Sequence, residues 1–146
     1  MAAVVLDASV VLKWFLADEE DRDHAIGLRD AIVRGDLDPF APSYLALEVA
    51  AGLVRASRRG RVDPDVVLPS LDALSQMGIG IEDVASVASS AASIALNLGL
   101  SVYDAAYLAV AAKVDAALVT ADVNVHRVAA EAGHDVVLLT ELPIEP

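Results

Sequence analysis

Short apolar blocks alternate along the chain with longer stretches whose apolar positions recur at helical spacing. Val4, Val5 and Leu6 make a compact run of strand length, and a helix over residues 10–15 and another over 23–33 follow it. Residues 38–41 form a brief extended segment. Pro42 and Ser43 then open a helix that runs to Arg59 and is stopped by Gly60. Pro64 starts a further helix to Gln76, residues 79–81 supply a strand, and Val84, Val87, Ala91, Ile94 and Leu98 repeat at helical spacing up to Gly99. Ser101 begins the next helix, to Val114. Residues 117–120 are a strand, 124–132 a helix closed by Gly133, and 136–139 a last strand. This alternation predicts an α/β fold with a mainly parallel sheet, and with no repeat, low-complexity tract or linker the 146 residues make one domain, 1–146.

The same pattern isolates four acids. Asp7 is the one charged residue in stretch 1–12, Glu48 in 40–54, Asp104 in 84–112 and Asp122 in 116–125. A buried carboxylate without a partner is costly, and none of these stretches contains a Lys, Arg or His to neutralise it. Carboxylates that converge from distant segments without cationic side chains suit a hard divalent cation, Mg²⁺ or Mn²⁺, and hence a metal-dependent phosphoryl-transfer site. Asp7 and Asp122 follow strands, at the edge where open α/β sheets bind ligands. Asp104 falls in the first turn of its helix. Glu48 is expected mid-helix, on an apolar face with Leu45, Val49 and Gly52. Each of three has a plain structural use: Asp7 and Asp122 as helix N-caps, Asp104 in a capping box with Ser101. A mid-helix Glu48 has no capping role, so it must be paired, protonated or coordinated.

Composition narrows the setting. The absence of cysteine removes disulfides and thiolate metal sites and suits a reducing cytoplasm. The longest uncharged run, 84–103, is rich in Ala and Ser, which reads as a buried helix rather than a membrane span, and residues 1–6 lack a basic leader. A net charge of −12 denies the chain a general basic surface for nucleic acid. The acidic run 18–23 and the Asp63/Asp65 pair read as solvated faces. Arg55, Arg58, Arg59 and Arg61 concentrate after the Glu48 helix, either as phosphate contacts near the metal or as a solvated helix end. His24, His126 and His134 share no metal-ligand spacing.

Four segments carry a resemblance. Val5-Leu6-Asp7-Ala8-Ser9, the segment 42–53 with Leu47-Glu48-Val49, the segment 99–109 with Val102-Tyr103-Asp104-Ala105-Ala106-Tyr107, and Leu118-Val119-Thr120-Ala121-Asp122 together resemble PIN-domain ribonucleases of the VapC toxin type. Order and spacing hold over nearly the whole chain. The resemblance implies a three-layer α/β/α sandwich in which Asp7, Glu48, Asp104 and Asp122 bind Mg²⁺ or Mn²⁺ and cut RNA, with Ser9 and Thr120 supporting the site. It also implies a small antitoxin partner, which often inserts a basic side chain into the acids, and a homodimer. Trp14, Phe15 and Leu16 are the apolar candidates for such surfaces. One departure is Ala51, where the family often has Asn three residues after the glutamate. Rival folds with carboxylate sites fit less well, because position 9 is Ser rather than the second Asp of an aspartyl-nucleophile phosphatase and the acid pair of a receiver domain is absent. The alternative from another class is a binding module, weakly catalytic or non-catalytic, whose acidic pocket receives a basic partner side chain.

Overall fold

The computed structural model describes residues 2–142; Met1 and residues 143–146 of the expected 1–146 domain lie outside the described residues. The strands are β1 (Ala2–Leu6), β2 (Leu37–Pro42), β3 (Gly80–Glu82), β4 (Ala117–Thr120) and β5 (Val136–Leu138). The helices are α1 (Ala8–Phe15), α2 (Arg22–Val33), α3 (Leu45–Arg58), α4 (Val67–Ser75), α5 (Ala88–Leu98), α6 (Val102–Lys113) and α7 (Val123–Glu131). Single 3₁₀ turns at Pro64–Val66 and Val84–Val87 lead into α4 and α5.

All five strands lie in one sheet in the order β3-β2-β1-β4-β5, and every pairing is parallel. The chain steps one way from β1 through β2 to β3, then returns past β1 to β4 and β5. Right-handed crossovers therefore put α1 to α4 over one face and α5 to α7 over the other, giving the expected three layers. The direction reverses between β1 and β4, so the crevice outside their carboxyl ends is the topological switch point. Val5 and Leu6 of β1 and Leu118 and Val119 of β4 are fully buried beneath it. Strands covered on both faces need unbroken apolar runs, which explains why Val-Val-Leu and Leu-Val rather than alternating patterns stand there.

Helix α6 is the buried one. Its residues 105–111 are all inaccessible, and the alanines among them let it lie against β1, β2 and β4. The expectation of a buried helix in 84–103 is corrected, since α5 buries Ala91 alone and leaves Leu96 86% exposed. Ala and Ser carry too little side chain to dictate a face, and Gly99, at φ 68°, turns the chain so that α5 packs outside α6. No single described helix is long and apolar enough to cross a membrane; α5 and α6 pass only as a pair bent by 118°.

Pro42 ends β2 instead of opening a helix. It pairs in register with Glu82, and Ser43 N donates to the Glu82 carbonyl at 2.8 Å, so α3 starts at Leu45. Trp14 and Leu16 belong to the core rather than a surface: Trp14 Nε1 donates to the buried Ala25 carbonyl at 2.8 Å. The acidic run is not wholly solvated either, because Asp18 and Glu19 hold Arg61 at 2.8 and 2.9 Å and tie the α1–α2 connection to the end of α3.

Candidate active site

Asp7 is the first residue beyond β1 and the N-cap of α1, with Oδ1 accepting from Ser9 N at 2.8 Å. Its other oxygen, Oδ2, accepts from the Thr120 hydroxyl at 2.8 Å. Thr120 closes β4, so this bond spans the switch point. Thr120 Oγ1 in turn accepts from Asp122 N at 3.1 Å, and Ser9 Oγ accepts from Ala121 N at 3.1 Å. Both hydroxyl residues expected near the acids thus lie in one network with Asp7 and Asp122. Asp122 caps α7 through Oδ1, which accepts from Val125 N at 3.0 Å. Cap and site are the same geometry here: a carboxylate that caps a helix opening at the strand edge already faces the crevice.

Helices α3 and α6 bring the other two. Glu48 lies in the first turn of α3, not mid-helix as expected, because strand pairing through Ser43 delays the helix start. Gly52, one turn on, lets α3 approach α1; a Cβ there would stand 2.7 Å from both Cδ atoms of Leu12. Glu48 Oε1 accepts from the Tyr107 hydroxyl at 3.3 Å. Asp104 is the third residue of α6, its N donating to the Ser101 hydroxyl at 3.0 Å, as a capping box requires.

The four acids share one electrostatic neighbourhood. Burial pushes the Asp7 carboxyl up, the Ser9 amide and the hydroxyls of Thr120 and Ser9 act against it, and the charge of Asp104 adds to the rise. Glu48 is raised by burial and then by Asp7 and Asp104, with Tyr107 opposing. Asp104 is raised by burial and by Asp122, with Ser101 opposing. Among the described residues none of the four has an ion pair with Lys, Arg or His, and no three His, Asp or Glu side chains close into a ready-made metal cage. An all-oxygen donor set in which Asp7, Glu48 and Asp104 are raised and no cation stands beside them fits Mg²⁺ or Mn²⁺ held partly through water.

The arginines are elsewhere. Arg55 and Arg58 occupy the last turn of α3, about 10 to 15 Å along the helix from Glu48, and are exposed there. Arg61 is engaged by Asp18 and Glu19. Arg55 and Arg58 thus form the exposed end of α3. His126 Nε2 stands 3.8 Å from a Glu141 carboxylate oxygen, and its backbone N donates to the Asp122 carbonyl at 3.0 Å.

Reading the sequence alone overlooked the tyrosines. Tyr44, Tyr103 and Tyr107 form a row with ring centroids 5.6 Å apart on either side of Tyr44, both contacts edge to face. Tyr103 is exposed, Tyr44 half-buried and Tyr107 buried, ending on Glu48. Burial followed by the Glu48 charge drives the Tyr44 and Tyr107 hydroxyls well above the usual phenol range, so both stay protonated donors. The i, i+4 spacing of Tyr103 and Tyr107 was the available signal; the place of Tyr44 between them was not.

The family model described as PIN domain matches residues 4–131. Among curated proteins, Ribonuclease VapC3 of Pyrobaculum aerophilum is 31% identical over 123 residues, which is 82% of this chain and 88% of that protein. Among solved structures, Mycobacterium tuberculosis VapC20, a sarcin–ricin loop cleaving toxin, superposes with a TM-score of 0.66 at 15% identity, covering 90% of this chain and 95% of that one. VapBC2 of Rickettsia felis, bound to a DNA fragment from their promoter, gives 0.66 at 13% identity over 93% and 96%. These structures share the fold; VapC3 shares sequence as well.

Proposed function

Because the chain belongs to the PIN domain family, in its VapC branch, we propose that it is a metal-dependent endoribonuclease and the toxin of a toxin–antitoxin pair. The observation that supports this reading is a run of carboxyls that feel one another's charge, Glu48 with Asp7 and Asp104, and Asp104 with Asp122, with no ion pair to a cation among the described residues. A relative named as a ribonuclease at 31% identity supports the same chemistry.

In this reading Asp7, Asp104 and Asp122 hold Mg²⁺ or Mn²⁺, with Glu48 completing the set. The ion, when bound, supplies a Lewis acid for the scissile phosphate and a water of lowered pKa. The chain's own residues do the rest. Thr120 and the Ser9 amide fix both oxygens of Asp7, so the buried carboxylate meets its ligand without reorganising. Glu48, raised by burial and neighbours and anchored through Oε1, leaves Oε2 to accept a proton from an attacking water. Ser9, through Ala121 N, holds the β4 exit so that Asp122 stays beside Asp104. Ala51, three residues after Glu48, offers the site no polar side chain there.

RNA is the substrate and a small antitoxin the partner. Acids without cationic partners in a chain of net charge −12 suit a basic side chain delivered by that partner. A homodimer in the cytoplasm completes the proposal. The test is cleavage of RNA by the purified chain, expected with Mg²⁺ or Mn²⁺ and abolished by EDTA. Asp7→Asn and Asp104→Asn should each lose at least about 100-fold in rate with the far-UV spectrum unchanged. Full activity in either variant sinks the assignment.

A further inference from the structure

An acidic nuclease faces a physical problem. Its phosphate-rich substrate is repelled by a net charge of −12, and the exposed arginines of α3 lie at the helix end away from Glu48. Contacts that carry no charge can supply affinity that such a surface does not gain from counterion release. Base stacking on an aromatic ring is the main alternative, since every base has a π-face and the contact carries no charge.

The tyrosine row supplies such a ring. Tyr103 is 66% exposed and its ring packs on Tyr44, whose hydroxyl feels the charges of Glu48, Asp104 and Asp7, so a strand whose phosphate lies at the acids has a neighbouring base within reach of it. Its orientation is fixed from below by Tyr44, in edge-to-face contact at 79°, and the Tyr44 hydroxyl donates to the Tyr103 backbone carbonyl. That bond uses the main chain and survives substitution of the side chain. Beside the ring runs an apolar groove of about 480 Å³ formed by Tyr44, Val84, Ala88, Val102, Tyr103 and Ala106. A planar base fits a groove of this lining, which offers it apolar walls and an aromatic face rather than ion pairs. At the other end of the row Tyr107 reaches Glu48, which joins the exposed ring to the acids through one packed stack.

We propose that Tyr103 is a stacking platform for a base of the RNA strand cut at the acids, with Tyr44 as its buttress. The inference rests on the ribonuclease reading above and adds the residue that binds and positions the strand. Tyr103 is a positioning residue; it touches substrate and no reacting atom.

The experiment is steady-state cleavage, with Mn²⁺, of a single-stranded RNA oligonucleotide that the wild type cuts, scanned with one abasic nucleotide at a time around the scissile bond. One flanking position should raise KM about 5- to 150-fold when its base is removed, with kcat changed far less. Tyr103→Ala should raise KM on the intact RNA by a similar factor and erase the sensitivity at that position, whereas Tyr103→Phe should keep both. Tyr103→Leu, which retains apolar area without a π-face, should behave as Tyr103→Ala. Melting curves confirm that each variant is folded, as expected for so exposed a side chain. Unchanged KM in Tyr103→Ala, or the abasic effect persisting in it, overturns the platform while leaving the ribonuclease reading intact. A shift of oligomeric state or of binding to a protein partner with no change in KM also overturns it, and assigns the ring to a protein interface. A wild type that cuts no RNA with Mn²⁺ overturns the ribonuclease reading and this inference with it.

Discussion

Thr120→Val removes one hydroxyl and nothing else of comparable size. Thr120 is fully buried, donates to Asp7 Oδ2 at 2.8 Å and accepts from Asp122 N at 3.1 Å. A hydrogen bond to a charged group contributes about 1.5–3 kcal/mol and a neutral one about 0.5–1.5, and valine fills the same volume without replacing either. Thr120→Ser keeps the hydroxyl and loses a methyl, at a cost of about 0.5–1.5 kcal/mol. Valine should therefore be the less stable by roughly 1–3 kcal/mol at neutral pH. The pH dependence has a definite sign. Asp7 has a folded pKa above its ordinary value, so its ionised form costs stability above that ordinary value, and Thr120 offsets part of the cost. Losing the hydroxyl raises Asp7 further. The extra deficit of the valine variant is complete above its folded pKa and fades as pH falls and Asp7 takes its proton in both variants. Urea denaturation from neutral pH down toward the ordinary carboxylate value of about 4 reads both effects. Cleavage should drop about 10- to 100-fold in the valine variant and little in the serine variant. Valine and serine variants of equal stability at neutral pH, or a gap that does not narrow on acidification, would refute the coupling of Thr120 to an ionised Asp7.

Two further outcomes follow from the charge pattern. Asp104→Asn should melt higher than wild type in EDTA near neutral pH, because mutual repulsion among raised carboxyls outweighs the roughly 0.3–1 kcal/mol of lost helix-dipole interaction; wild-type apo stability should itself improve as pH falls, and Mn²⁺ should raise the wild-type Tm more than the variant's. A variant that melts lower in EDTA and responds equally to Mn²⁺ would make Asp104 a helix cap alone. Arg55→Gln with Arg58→Gln should leave KM for RNA within about twofold, since these charges sit about a Debye length or more from Glu48, and a large rise in KM would return them to the substrate path.

The sequence alone determined the alternation of elements and the parallel sheet, and it singled out the four acids. Each of these is written locally: apolar runs such as Val4-Val5-Leu6 make strands wherever they lie, and a lone acid in an uncharged stretch stands out without a structure. Tertiary structure decided what depends on distant partners. Pro42 looked like a helix start because its neighbours are helix-compatible, and pairing with Glu82 of β3 made it a strand end and moved Glu48 into the first turn. Residues 84–98 and 102–113 are similarly apolar, yet α6 is buried and α5 exposed, because alanine and serine fit either place and packing against the sheet selected one helix. Arg61 admits two readings in the sequence, a phosphate contact or a solvated helix end, and only the fold brings Asp18 and Glu19, 43 and 42 positions away, to hold it. The Thr120–Asp7 bond joins residues 113 apart, and Tyr44 meets Tyr103 across 59. Local propensity cannot encode such contacts, since they exist only when the strand order β2-β1-β4 brings separate chain ends to one edge of the sheet.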